Sequence, residues 1–139
     1  MKMLSHPPFA MLVPEERRDF FLPAMFGSTL LIVAENAVYT LMQRLAPCDY
    51  DGGLWNFYER DGQALFLAPT CKPRLRIGSS ITEYRGEVSA EAAGIIATLF
   101  TFSHLSFHYE SQLLVDGYHR LYACLAEHPE AVDIFQAID

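Results

Sequence analysis

The stretch Ser89–Phe107 reads SAEAAGIIATLFTFSHLSF. Ser89 stands where an N-cap belongs, with Glu91 in the first turn behind it, so the spacing predicts a helix starting at about Ala90. Ile95, Ile96, Leu99, Phe100, Phe102 and Leu105 then cover almost the whole circumference of that helix rather than one stripe. A helix that is apolar all round belongs in the middle of a domain. The run Ala92–Phe107 is shorter than the ~20 residues a membrane span needs, and it contains His104.

Working toward the N-terminus, Tyr50–Pro69 reads YDGGLWNFYERDGQALFLAP. Asp61-Gly62 between two apolar runs predicts a tight two-residue hairpin turn. Counting outward from it pairs Arg60 with Gln63, Tyr58 with Leu65, Phe57 with Phe66 and Trp55 with Ala68. Trp55, Phe57, Ala64, Phe66 and Ala68 would then share one packed face, with Phe57 opposite Phe66. The aromatics read as the core of a hairpin rather than as a binding site. CKPRLRIGSS and ITEYRGEVS predict two further strands around Gly78-Ser79-Ser80.

Helices flank these strands on both sides in sequence. PEERRDFFLPAMFG opens with Pro14 and two acids and is broken at Pro23 and Gly27. STLLIVAENAVYTLMQRLA predicts a helix capped by Ser28 or Thr29, with Leu31, Ala34, Val38, Leu41 and Leu45 at helical spacing, Arg44 in its last turn and Pro47 as its stop. SQLLVDGYHRLYACLAEHP predicts another, despite Gly117, and EAVDIFQAID a short last one. Residues 1–13 read as irregular. No repeat or linker interrupts residues 1–139, so one compact α+β domain is expected, a small antiparallel sheet packed with several helices.

Composition narrows the functions. Of 139 residues 51% are hydrophobic and 19% charged, a globular balance. The net charge of −7 argues against bulk DNA binding, which needs several cations facing phosphates. Seventeen acids diluted by ten bases also fall short of the charge density of DNA, about one charge per 1.7 Å of duplex, so mimicry of DNA is not expected. Cys48, Cys71 and Cys124 are odd in number and widely spaced, which disfavours a disulfide framework. The N-terminal stretch has no sustained apolar core of a signal peptide. A cytoplasmic protein is expected.

Candidate chemistry is sparse. There is no GxSxG, P-loop or GxGxxG. His104 and His108 share a helix face as metal-ligand pairs do, but no third ligand is suggested, and a half-buried or helix-end pair is the simpler reading. Glu35 lies among apolar residues, where a carboxylate can act as acid or base; the simpler reading is that it lies on the exposed stripe with Gln43 or accepts a hydrogen bond from Tyr39 one turn on. A ligand-binding or metal-dependent hydrolase domain built on Glu35 or on the His104/His108 pair is therefore the competing function. Lys72, Arg74 and Arg76 alternate along a strand and form the only basic stripe, suited to an acidic partner, to phosphates or to solvent. Asp139 sets its side chain and the terminal carboxylate at a helix C-terminus, against the macrodipole. A residue that breaks a local rule without local gain is a candidate for function.

YDGGLWNFYE with FLAP (Tyr50–Glu59, Phe66–Pro69), GEVSAEAAGIIATLFTFSHLSF (Gly86–Phe107) and YHRLYACLAEHPEAVDIFQAID (Tyr118–Asp139) together resemble the ArdB/KlcA family of antirestriction proteins, over roughly Val13–Asp139. The hairpin tip, RDGQALF, departs from the Asn-Gly-Gly step and aromatic pair frequent in that family. The resemblance implies a compact α+β domain without enzymatic activity or cofactor, protecting incoming unmodified DNA from type I restriction-modification systems. The expected partner is then the restriction complex or an associated host protein. The expected contacts are the exposed polar residues around Asp49 and Asp51, Glu59 beside the aromatics, and the Asp139 end.

Overall fold

The structure, a computed structural model, describes residues 8–139. The apolar stretch folds as expected. Ser89 caps it, its hydroxyl accepting from the Ala92 N–H at 3.1 Å, and the helix runs Ala90–His108. In chain order the elements are β1 (Met11–Leu12), a 3-10 segment (Glu15–Phe20), α1 (Phe21–Phe26), α2 (Leu31–Leu45), β2 (Trp55–Arg60) and β3 (Gln63–Pro69). They continue with β4 (Arg74–Gly78), β5 (Arg85–Ser89), α3 (Ala90–His108), α4 (Gln112–Cys124), a short 3-10 turn, and α5 (Ala131–Ile138).

Helix α3 is the axis of the domain. It packs against β3, β4, β5, α2, α4 and α5. Ala92, Ala93, Ile95, Ile96, Ala97 and Phe102 lose all contact with solvent. Each fully buried Ile or Phe is worth about 1.5–3 kcal/mol relative to exposure. Although α3 has the length and hydropathy of a membrane span, it is wrapped by the rest of the chain. Its two buried hydroxyls are both satisfied: Thr101 donates to Ala97 O at 2.7 Å, and Thr98 lies 3.4 Å from both Leu67 O and Leu67 N. Close approach to β3 depends on Gly94, where a Cβ would stand 2.3 Å from Leu67 O and 2.5 Å from Ala68 Cα. Gly117 is tolerated in α4 for a similar reason, because the Phe102 ring occupies the place of its Cβ, 2.6 Å away.

The hairpin turn is as read: Asp61 and Gly62 both have positive φ, 53° and 77°, as a type I′ turn requires. The register is not. Arg60 pairs with Gln63 and Glu59 with Ala64, but Tyr58 then pairs with Phe66, Phe57 with Leu67 and Trp55 with Pro69. A bulge leaves Leu65 as an extra residue on β3. The cross-strand aromatic pair is therefore Tyr58–Phe66, stacked at 4.7 Å, and not Phe57–Phe66. Phe57 turns to the opposite face and stacks on Phe21 at 4.5 Å. The bulge accompanies an unbroken buried run on β3, Leu65 to Pro69, that a regular alternation would have half exposed.

The strands form two sheets rather than one: β1-β2-β3 with β2 central, and the separate pair β4-β5, all antiparallel. Met11–Leu12, expected to be irregular, pairs with Glu59 and Tyr58; residues 8–10 and 13 belong to no helix or strand, as expected, and residues 1–7 lie outside the described residues. Helix α2 starts at Leu31, and neither Ser28 nor Thr29 caps it. Those residues are spent in a turn after Gly27 (φ 84°), and the helix opens through its own backbone, Ala34 N–H donating to Leu30 O at 2.8 Å.

Candidate partner-binding surface

Pro47 ends α2, and the following loop carries Asp49 and Asp51. Asp49 is not the exposed acid expected. It is 6% exposed and holds the loop to β4. Its Oδ2 accepts from the Arg76 backbone N–H at 2.8 Å and from Arg76 Nε at 2.9 Å. Its Oδ1 accepts from Arg76 Nη2 at 3.0 Å and Lys72 Nζ at 2.9 Å. The Arg76 side chain first, then the Arg76 N–H and Lys72, hold this carboxyl well below the usual carboxylate range. Asp49 thus clamps the loop to β4, and Asp51, two residues further on, is exposed. Asp51 borders a shallow hollow with Tyr39, Gln43, Arg44 and Tyr50.

Glu59 lies on β2, half-buried and gripped by Arg17 in a bidentate pair at 2.6 and 2.8 Å, which lowers its pKa. Asp139 is exposed at the end of α5, its N–H donating to Phe135 O at 3.0 Å. Asp49 and Asp51 share one loop; Glu59 and Asp139 belong to other elements, so the four acids do not form one cluster around a common pocket.

The residues of the competing reading lie apart from these acids. Glu35 is half-exposed on α2 and accepts from Tyr39 OH at 3.0 Å. Burial, then that bond, push the Tyr39 phenol up to about 12. His104 and His108 are exposed and meet edge to face at 4.9 Å; among the described residues no group of three or more His, Cys, Asp or Glu is placed to hold a metal. The basic stripe is committed: Lys72 and Arg76 to Asp49, and Arg74 to Glu87 at 2.8 Å.

Two features escaped the sequence. His128 is buried, with Nδ1 accepting from the Glu130 N–H at 2.9 Å, which leaves Nε2 to donate to Glu91 Oε2 at 2.8 Å. His-Pro after a helix gives no hint of this, since Glu91 lies 37 residues away. The second is an open cleft of about 800 Å³ between the C-terminal end of α2 and the β4–β5 sheet. Leu41, Leu45, Ile77 and Phe100 supply its apolar lining; Arg44, Arg76, Arg85, Ser80 and the exposed Cys48 are also in its walls. Arg85 lies over Gly78, where a Cβ would stand 3.0 Å from its Nη1. No motif announces this cleft, because its residues come from three separate parts of the chain.

A two-sheet α+β domain wound around one buried helix, with its acids engaged as clamps and rim charges, has close counterparts. The profile of the family described as "Antirestriction protein" matches residues 48–139, and the chain belongs to that family. It is similar to an antirestriction protein KlcA of Escherichia coli, 40% identical over 144 aligned positions that cover 100% of both chains. It is 33% identical to the uncharacterized YfjX of Escherichia coli strain K12 over 131 positions, 91% of this chain and 85% of that one. A solved structure superposes with a TM-score of 0.83 at 40% identity, covering 100% of both chains. It comes from work on the KlcA and ArdB proteins that describes a novel fold and antirestriction activity against type I DNA restriction systems in vivo but not in vitro.

Proposed function

We propose that this protein protects incoming unmodified DNA from type I restriction-modification systems in the cytoplasm, by binding a protein and without catalysis. The carrying observation is the full-length likeness, at 40% identity, to KlcA. Activity of the KlcA and ArdB proteins in vivo but not in vitro favours a mechanism that needs a further cellular component. The partner is then the restriction complex together with, or by way of, an associated host protein. Mimicry of DNA is disfavoured because the acids are interleaved with cations: Asp49, Glu59, Glu87 and Glu127 are each in salt bridges. In the proposed surface Asp51 and Asp139 touch the partner, Glu59 is presented as a pair with Arg17, and Asp49 positions the Asp51 loop.

The test uses isogenic bacteria with and without a type I system, each with and without the protein, plated with unmodified phage. A rise in plating efficiency confined to the restricting host that expresses the protein supports the reading. No rise, with folded protein present, overturns it. Asp51→Lys and Asp139→Lys are each expected to reduce protection at unchanged melting temperature; full protection by either variant removes that residue from the surface.

A further inference from the structure

Nine Lys and Arg side chains fall within the described residues, and five of them, Arg17, Arg60, Lys72, Arg74 and Arg76, are tied to carboxylates. Arg18 is held differently, donating to Trp55 O at 3.0 Å with its guanidinium 4.3 Å from the Phe57 ring centre. Arg44, Arg85 and Arg120 have no such partner among the described residues, and the first two line the same cleft while Arg120 lies on α4. Arg44 comes from the α2 wall and Arg85 from the sheet wall. In a chain of net charge −7, this cleft sets two of the three uncommitted guanidiniums beside an apolar floor, a pairing that favours negative charge.

We propose that this cleft docks an acidic peptide segment of the partner protein. An apolar side chain of that segment seats on Leu41, Ile77 and Phe100, and its carboxylates pair with Arg44 and Arg85. This rests on the protein-binding reading above and names the surface and the chemistry of what it binds. The guanidinium fork matches a carboxylate bidentately, which an ammonium does not. The apolar floor supplies the desolvated anchor on which peptide affinity rests. Ile81, 77% exposed at the cleft rim, is apolar surface that such a segment would cover. A nucleic-acid backbone fits less well. A duplex offers about one charge per 1.7 Å to a continuous row of cations, whereas here an apolar floor accompanies the two free arginines and Glu87 stands in the wall.

The experiment has a cellular arm and a binding arm, both with the full chain. Wild type, Arg44→Glu/Arg85→Glu and Arg44→Lys/Arg85→Lys are compared in the phage assay after circular dichroism and melting confirm equal folding. The charge-reversed protein is expected to lose at least tenfold in protection and the lysine protein to keep part of it. Full protection by the charge-reversed protein overturns the proposal. In the binding arm, anisotropy is read on a fluorescein-labelled peptide of alternating Asp, Glu and Leu, its Asn/Gln counterpart, and a single-stranded oligonucleotide of equal charge. Binding of the acidic peptide alone, at least tenfold weaker in the charge-reversed protein, supports the proposal. Equal or tighter binding of the oligonucleotide, or no peptide binding up to about 1 mM, a free energy near −4 kcal/mol, overturns it. If wild type binds the peptide yet gives no protection, the antirestriction reading fails and the cleft stands.

Discussion

Gly94→Ala adds one methyl group where α3 meets the backbone of β3, and the expected effect can be worked out. The new Cβ would stand 2.3 Å from Leu67 O, 2.5 Å from Ala68 Cα and 2.6 Å from Ala68 Cβ, where ordinary contacts begin at 3.4 Å. Two of those three atoms are backbone, so no side chain can swing aside. Helix α3 must move about 1 Å from β3, which opens gaps along the whole interface and forfeits a quarter to a half of the dispersion there. Overpacking of this kind costs about 3 kcal/mol, the upper end of its usual range. The same carbonyl faces the Thr98 hydroxyl at 3.4 Å, so weakening that bond adds about 1 kcal/mol. The gain in helix propensity from Gly to Ala offsets about 1 kcal/mol. The net loss is about 3 kcal/mol, and unfolding entropy of about 2.1 cal/mol/K per residue turns that into a fall in Tm of roughly 10 °C. Thermal unfolding followed by circular dichroism checks this, with Asn36→Ala on the exposed face of α2 as the control. Propensity alone predicts the opposite sign, so a Gly94→Ala protein that melts at or above wild type refutes the packing of α3 on β3 described above.

Other consequences are as direct. Ser89→Ala removes the cap of α3 and the partner that Ser89 provides to Glu130, and is expected to cost about 1–2 kcal/mol, or 3–7 °C in Tm. Asp49→Asn is expected to lower Tm at pH 7. Because the Asp49 pKa is depressed on folding, its stabilisation is complete above the unfolded value near 4 and is lost as pH falls toward the folded one, so the gap between variant and wild type narrows below about pH 4. Melting curves at pH 7 and pH 3 measure it, and a gap that widens in acid contradicts the clamp. In an alkaline titration followed by phenolate absorbance, Tyr39 and Tyr84, each pushed up to about 12 by burial and then by a carboxylate acceptor, are expected to ionise last. Tyr39→Phe and Tyr84→Phe should each remove amplitude only from that late phase.

What the sequence could reveal follows from the range of each interaction. Helix α3 was legible because its cap, its acidic first turn and its all-round apolar pattern lie within twenty consecutive residues. The hairpin turn was legible in two, Asp61-Gly62. The register was not: one extra residue, Leu65, sits inside a run that is apolar on both sides of it, so alternation carries no mark of the slip. β1 was missed because two residues show no period, and its pairing is fixed by β2, some 46 residues away. The two-sheet division turns on α3 lying against β3, β4 and β5 alike, which is a tertiary fact. At the site, Asp49 looked like any acid in a loop after a proline; its partners come 23 and 27 residues later. The Lys72–Arg76 stripe was visible as charge, but whether it faced a ligand or Asp49 was not. Arg44 and Arg85 gave no signal, since each is an ordinary surface arginine until the fold sets both at one cleft.

The central position of α3 also fixes how the molecule opens. Its first half, Ala92–Leu99, is buried among β3, β4, β5, α2, α4 and α5, so no single element can peel away and wet the amides there. Hydrogen exchange in the middle of α3, around Ile96–Leu99, should therefore occur only through global unfolding and report the full stability of the domain. The β4–β5 pair, two strands with no third, can separate at lower cost and should exchange earlier. The wall that carries Arg76 and Arg85 is thus free to breathe while the helix behind it stays closed.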